Sequence, residues 1–397
     1  MEKLAEHLWP ILEQITGYIY PNEVELYWRI LIVVYPYITG LVAGAFILAS
    51  LVKVFKVKEL QPTYRLSLLT ALAFLIVAPL PLLAHLGHPE RAFEIFLTPN
   101  RNSAMAMFGF VYIWYLMAVL LLELWFEYRR DIIFWTKTGK GIKKWIHRIT
   151  TLFSTDTSDR AVKFDKRAVK TITIIGIPSA FLLHGYVGFI FGSIKANPWW
   201  SSVLMPIVFL FSAIVSGIAL VLLIYMVVTL IRKKEISMPC LDKLANYLFY
   251  TMIISFSLES LDFIHRLYES EESIDILSQL ISGRLFVSLI VIQLLLGMLV
   301  PLGALSSVKL FRFPGELRRH IYFVSALLVQ VGIFTTRWNV VVGGQLFSKS
   351  FRGLTAYKMS LGGIEGLLVS LAFLILPFVI LYILVKIYPP WEEAKHP

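Results

Sequence analysis

The chain has 397 residues, 57% of them hydrophobic and 16% charged; soluble domains carry about 25% charged residues, so a soluble fold is excluded and a polytopic membrane protein is expected. The single cysteine, Cys240, excludes a disulfide framework and any Cys-ligated zinc or iron–sulfur cluster within the chain, which places redox metals on partners. The net charge of +11 admits a nucleic-acid partner, but in a membrane chain the placement of Lys and Arg says more than their sum.

Residues 1–28 hold Glu2, Glu6 and Glu13 among leucines, without a basic n-region or a small-residue cleavage site. They are expected to form an amphipathic segment on the outer membrane face rather than a signal peptide. At about 20 apolar residues per crossing, nine spans centre on 30–54, 63–86, 104–127, 169–194, 203–231, 242–265, 283–308, 320–341 and 363–387. Each is apolar around the whole helix, which marks a span rather than an amphipathic core helix. The expected fold is therefore all-α: a polytopic integral membrane helix bundle, with residues 29–397 as a single membrane domain.

Orientation follows from the basic residues. With the N-terminus outside, 26 of the 37 Lys and Arg fall inside: Lys53, Lys56, Lys58, Arg65, the 129–170 loop, Arg232 to Lys234, Lys243, Lys309 to Arg319, Lys386 and Lys395. The positive-inside rule then gives N-out, C-in. The basic loop "RRDIIFWTKTGKGIKKWIHRITTLFSTDTSDRAVKFDKRAVK" (129–170) reads as a cytoplasmic anchor on anionic membrane lipid, not as a nucleic-acid site.

Polar residues set into apolar surroundings gather toward the outer side. The end of the second span carries His85, His88, Arg91, Asn100 and Arg101; the fourth carries His184, Tyr186 and Lys195. The sixth carries Glu259, Asp262, His265 and Arg266 in "SLESLDFIHR", and the eighth carries Arg337, Asn339 and Gln345. Any one of these is explained by snorkelling to the interface. The set is less easily explained so, because His184 and Glu259 lie a turn or more below the interface, where an ionisable group is costly without something to bind. Glu123, in "VLLLELWF" toward the inner half of the third span, is either a buried hydrogen-bonded carboxyl or a step in a longer proton path. Together these groups suit an amphiphile that enters from lipid and exchanges protons. A quinone needs donors at two carbonyl oxygens, which His, Tyr and Arg supply, and an apolar slot for its tail. The glycines of "ITGLVAGAF" and "GYVGFIFG" serve close helix packing or leave room for a ring.

Four stretches carry a resemblance. "LGHPERAFEIFLTPNRNSAMAMFG" (86–109) resembles the loop of the polysulfide reductase membrane subunit family, the NrfD type, in which a Gly-x-Pro-x-Arg element precedes an Asn-Pro or Pro-Asn pair and a Ser-x-Met. "HGYVGFIFGSIKANPWWSSVLMPIVFLFSAIVSGIAL" (184–220) is similar to its fourth-to-fifth helix junction, including Lys195, Pro198, Trp199 and the Ser-Ala-x-x-Ser-Gly run at 212–217. "YPYITGLVAGAFILASL" (35–51) looks like its first helix, and "RWNVVVGGQ" (337–345), with Glu365 beyond it, resembles the longer members.

The resemblance, over roughly residues 30–375, implies a haem-free integral subunit that holds no metal and is built around a four-helix core in the cell's inner (cytoplasmic) membrane. Such a subunit binds a quinone of the menaquinone type near the outer face. It exchanges electrons with a ferredoxin-like iron–sulfur subunit docked there, which serves a catalytic subunit, a molybdopterin enzyme or a hydrogenase. Carried over by residue, His184 and Tyr186 fall at the family's fourth-helix quinone ligand, Tyr35 falls where some members have a first-helix histidine, and Arg91 matches the loop arginine. His85, His88, Asn100 and Lys195 complete the quinone-binding candidates, with Glu259, Asp262, His265 and Glu123 as proton-path candidates. Tyr35 in place of histidine leaves the ligand set open. Two other readings stand beside this one. In a haem b-type anchor, His85, His184 and His265 would supply an axial pair. In a secondary transporter, Glu259 and Asp262 and interrupted helices such as "VAPLPLLAH" would form the substrate site.

Overall fold

The computed structural model describes residues 9–269 and 273–391. Glu2, Glu6, Lys395 and residues 270–272 of the acidic "YESEESID" loop lie outside the described residues. Among those described, nine helices are long and apolar enough to cross a membrane, and a shorter helix, α4, lies between the third and fourth of them. In chain order they are α1 (Ile30–Lys53), α2 (Lys58–His85), α3 (Ala106–Thr138), α4 (Gly141–Thr150), α5 (Asp159–Gly192), α6 (Met205–Ile231), α7 (Met238–Arg266), α8 (Phe286–Leu310), α9 (Gly315–Gln345) and α10 (Leu367–Ile387). The chain is thus a multi-pass membrane helix bundle, as its composition requires.

The helices are not equivalent. The apolar window of α1 is 89% buried, whereas those of α7, α8 and α10 are each 17% buried, so α1 is the axis and the other three form the lipid-facing wall. Close approach of α1 to α6 depends on two glycines: a Cβ on Gly44 would collide with Ala213 and Gly217 of α6, and one on Gly217 would collide with the Gly44 backbone. Small residues of this kind let transmembrane helices pack backbone to backbone, where apolar side chains gain nothing over lipid.

α3 and α5 run 33 and 34 residues, about 50 Å at helical rise, and so outreach a hydrocarbon core of about 30 Å. Their overhang is polar and paired. Arg129 is bidentate to Asp165 (Nη2 to Oδ2 2.7 Å, Nε to Oδ1 3.0 Å), and Glu127 accepts from Lys53 (2.7 Å) and Arg65 (3.0 Å). This defines a basic end of the bundle. The opposite end, built from the start of α1, the α2–α3 loop, the α5–α6 turn and the α9–α10 loop, is the junction end.

Within the amphipathic segment expected over residues 1–28, the described helix ends at residue 12. Residues 9–12 are helical, and then β1 (Thr16–Gly17) pairs antiparallel with β2 (Gly353–Leu354), with Thr16 opposite Leu354. Gly17 adopts φ +74° and Pro21 opens a 3₁₀ turn, both of which end a helix. Glu23 then accepts from Ser348 Oγ (2.5 Å), fastening this segment to the α9–α10 loop.

Candidate functional site

The α5–α6 turn sets the depth of everything near it. Asn197 Nδ2 donates to the Gly344 carbonyl (2.7 Å), Trp199 Nε1 to that of Asn339 (2.9 Å) and Trp200 Nε1 to that of Val340 (2.6 Å). These bonds satisfy carbonyls at the end of α9 that the helix itself leaves open. The "KANPWW" run is therefore a clamp on α9, and Lys195 stands exposed beside it.

The clamp brings His184 of α5 against Arg337 of α9, and both are fully buried. Arg337 Nη2 lies 3.1 Å from His184 Nε2 and donates to Ser212 Oγ (2.6 Å), while the guanidinium sits 4.0 Å above the Phe209 ring. Guanidinium only donates, so Nε2 accepts, and the imidazole is neutral with its hydrogen on Nδ1. Gly40 of α1 makes room for the ring, since a Cβ there would lie 3.1 Å from His184 Cε1.

A second cluster stands between α1, α3 and α5. Phe108 is its hub: Tyr186 stacks on it (5.5 Å, 27°) and Tyr35 meets it edge-on (5.7 Å, 90°). The hydroxyls of Tyr35 and Tyr186 are both buried and have no hydrogen-bond partner among the described residues. That is unusual for buried phenols, which normally find one. At the same end His85 Nδ1 lies 2.6 Å from Glu365 Oε1. Tyr357, in the α9–α10 loop, has its phenol pushed above the usual range by burial. The remaining loop candidates do not converge on this cluster. His88 pairs with Glu90 (2.9 Å) in solvent, Arg91 is exposed, and the Asn100 side chain accepts from the Asn102 backbone (3.0 Å).

A third group lines a cavity of about 410 Å³ between α6, α7, α8 and α9. Glu259 accepts from Gln293 Nε2 (3.2 Å) and Ser255 Oγ (3.3 Å); Asn339 Nδ2 donates to Gln293 Oε1 (2.8 Å), and Ser288 Oγ donates to Asn339 Oδ1 (2.6 Å). Asp262 accepts from Ser202 and from Arg266 (2.9 and 3.0 Å), and Arg266 caps the Trp199 carbonyl (2.9 Å). His265 is exposed and off the cavity lining. Glu123 belongs to none of these groups: it is fully buried toward the basic end and accepts from Thr173 (2.8 Å) and Tyr64 (3.2 Å).

Of the residues singled out from the sequence, Tyr35 and Tyr186 meet at Phe108, His184 meets Arg337 and Glu259 lies on the cavity; Phe108, Gln293 and the contact of Arg337 with His184 were not singled out. Gln293 had a signal, being the one amide in the apolar run "FVSLIVIQLLLGML". Phe108 had none, because a phenylalanine in a span is unremarkable.

The family model described as "Polysulphide reductase, NrfD" matches residues 21–349. The chain is 36% identical over 203 residues to a selenate reductase subunit of Mesobacillus selenatarsenatis, covering 50% of this chain and 47% of that protein. It is 29% identical over 206 residues to a Halobacterium salinarum protein provisionally named as a dimethyl sulfoxide reductase membrane subunit, covering 50% and 42%. The chain therefore spans about half the length of the curated relatives it matches. With the family match extending from the N-terminal fastening through the clamp to the end of α9, the chain belongs to the polysulphide reductase NrfD family.

Proposed function

We propose that this chain is the quinone-reacting membrane subunit of a multi-subunit reductase in the cytoplasmic membrane. An iron–sulfur subunit docks on the junction end, and a catalytic subunit, of molybdopterin or hydrogenase type, stands beyond it. The observation that carries the reading is the pair of buried phenol hydroxyls, Tyr35 and Tyr186, both unpartnered among the described residues, with their rings against Phe108. Two O–H donors beside an aromatic wall fit the two-acceptor head of a quinone of the menaquinone type. A quinone there takes up two electrons and two protons at its two oxygens. Tyr35 and Tyr186 donate hydrogen bonds to those oxygens, and the His85–Glu365 pair, 2.6 Å apart, holds a proton at the same end. Glu259 and Asp262, with His265 outside them and Glu123 toward the far end, are the residues along which protons would move. The haem-anchor reading fits less well, because His184 Nε2 is engaged by the Arg337 guanidinium and His265 is exposed.

The test compares Tyr35→Phe and Tyr186→Phe in the assembled complex. Each removes one hydroxyl and keeps the ring. Quinol-linked turnover is expected to fall at least tenfold, a barrier change of about 1.4 kcal/mol, while reduction of an artificial dye by the catalytic subunit persists. Unchanged quinol turnover in both variants would sink this placement of the head group.

A further inference from the structure

We propose that α4 and the turn behind it form an interfacial wedge that inserts into the hydrocarbon edge of an anionic phospholipid leaflet at the basic end. α4 has three faces. One packs on the protein: His147 is buried with Nε2 3.0 Å from the Ile387 carbonyl, and the Thr150 carbonyl accepts from Trp125 Nε1 (2.9 Å). A second is apolar and open: Ile142, Trp145 and Ile149, at i, i+3 and i+7, are exposed, and the stripe continues through exposed Leu152 to Phe153, which is 100% exposed. The third carries Lys144 and Arg148, four residues apart and exposed, with Lys140 just before the helix.

The turn is built to present its apolar residues. Leu152 and Phe153 take φ +47° and +63°, a left-handed backbone that non-glycine residues avoid. They are held there from both sides, by the Trp125–Thr150 bond before them and by Ser154 after them. Ser154 Oγ accepts from Arg129 Nη1 (2.8 Å), and Arg129 is itself locked on Asp165. Strain of this kind persists only where the surroundings over-determine it.

Depth decides what covers the stripe. Trp125 lies at the end of the apolar run of α3, just before Glu127, Arg129 and Arg130, and Ile387 is the last residue of α10. The two bonds therefore hold α4 at the level where hydrocarbon gives way to headgroups. An amphipathic helix with aromatic and aliphatic residues on one face and Lys and Arg beside them lies in that plane, cations toward anionic headgroups. The occupant is thus the bilayer's own anionic phospholipid.

The experiment uses the full chain in nanodiscs, with Cys240→Ala and single nitroxide labels at Trp145→Cys, Ile149→Cys, Phe153→Cys, Lys144→Cys and Arg148→Cys. Accessibility to oxygen is read against accessibility to a water-soluble nickel chelate, in phosphatidylcholine with and without phosphatidylglycerol. Labels at 145, 149 and 153 are expected to favour oxygen, with a ratio at 153 roughly tenfold that at 148, and to sit deeper in the anionic bilayer. Ratios at 145, 149 and 153 equal to those at 144 and 148 would overturn the wedge, and an unchanged depth between the two lipids would overturn the anionic preference. Shielding from both reagents that arises only in the assembled complex would assign the stripe to a partner subunit and overturn the proposal.

Discussion

Arg337 has no exposed surface, and its guanidinium leans on an aromatic face, a hydroxyl and an imidazole lone pair, with no carboxylate within ion-pair distance among the described residues. Its dependence on His184 separates two roles for that histidine. If His184 serves mainly as an acceptor for Arg337, His184→Leu leaves a buried N–H without that acceptor, which costs about 1–3 kcal/mol. His184→Gln returns an acceptor oxygen and is expected to recover most of the loss. Thermal unfolding of the two variants in detergent checks this. Equal stability in both, with quinol turnover lost in both, would instead make His184 a direct quinone ligand. Glu259 permits a parallel test, because Glu259→Gln keeps the shape and Gln293 as neighbour but cannot cycle a proton. The expected outcome is an assembled complex whose quinone turnover is slowed about tenfold, or about 1.4 kcal/mol; full activity would leave Glu259 as a structural acceptor.

Helices were legible in the sequence as lengths and depths, because about 20 apolar residues mark a crossing whatever surrounds it. What was not legible is azimuth. Nothing in "FLLHGYVGFIFG" says that His184 turns toward a residue 153 positions away while Tyr186, two positions on, turns toward Tyr35 and Phe108. The π-helical stretches Trp114–Leu121 in α3 and Phe286–Leu299 in α8 alter that azimuth further, and the second carries Gln293 to Glu259. α4 shows the same limit, since its charge was readable but its apolar stripe became meaningful only once packing had taken up the opposite face. Its docking carries a pH dependence. His147 donates from Nε2, and burial holds the imidazole below its ordinary 6.5 against the opposing pull of its bond to the Ile387 carbonyl, with Lys143 nearby adding to the lowering. The undocked form therefore binds more protons below that value, so docking is full above it and weakens as pH falls. Hydrogen exchange over 141–150 is expected to quicken on acidification, and His147→Gln, which keeps the donor without titrating, is expected to abolish that response. An unchanged response in the variant would place the titration elsewhere.

At the scale of the whole molecule, an odd number of crossings puts the two ends of the described chain on opposite sides of the bilayer, and the helices themselves are silent on which side is which. The charges are not. Lys53, Arg65, the 129–170 segment, Arg232 to Lys234, Lys309, Arg318, Arg319 and Lys386 collect at one end, where Arg129–Asp165 and the Glu127 network fix the α3 and α5 overhangs. Lys and Arg near span ends hold a loop on the cytoplasmic side, which predicts N-out, C-in and puts the Tyr35–Tyr186 cluster near the outer face. Reporter fusions after residues 150 and 235 are then expected to be cytoplasmic, and one after residue 275 external. The residue-275 fusion is the most demanding of the three, because it lies across α7, whose apolar window has the lowest hydropathy of the nine at 1.2 and holds Glu259. Should the fusions after 150 and 275 report the same side, either α7 does not cross or the crossings before it are miscounted, and the Tyr35–Tyr186 cluster would lose its assignment to a face.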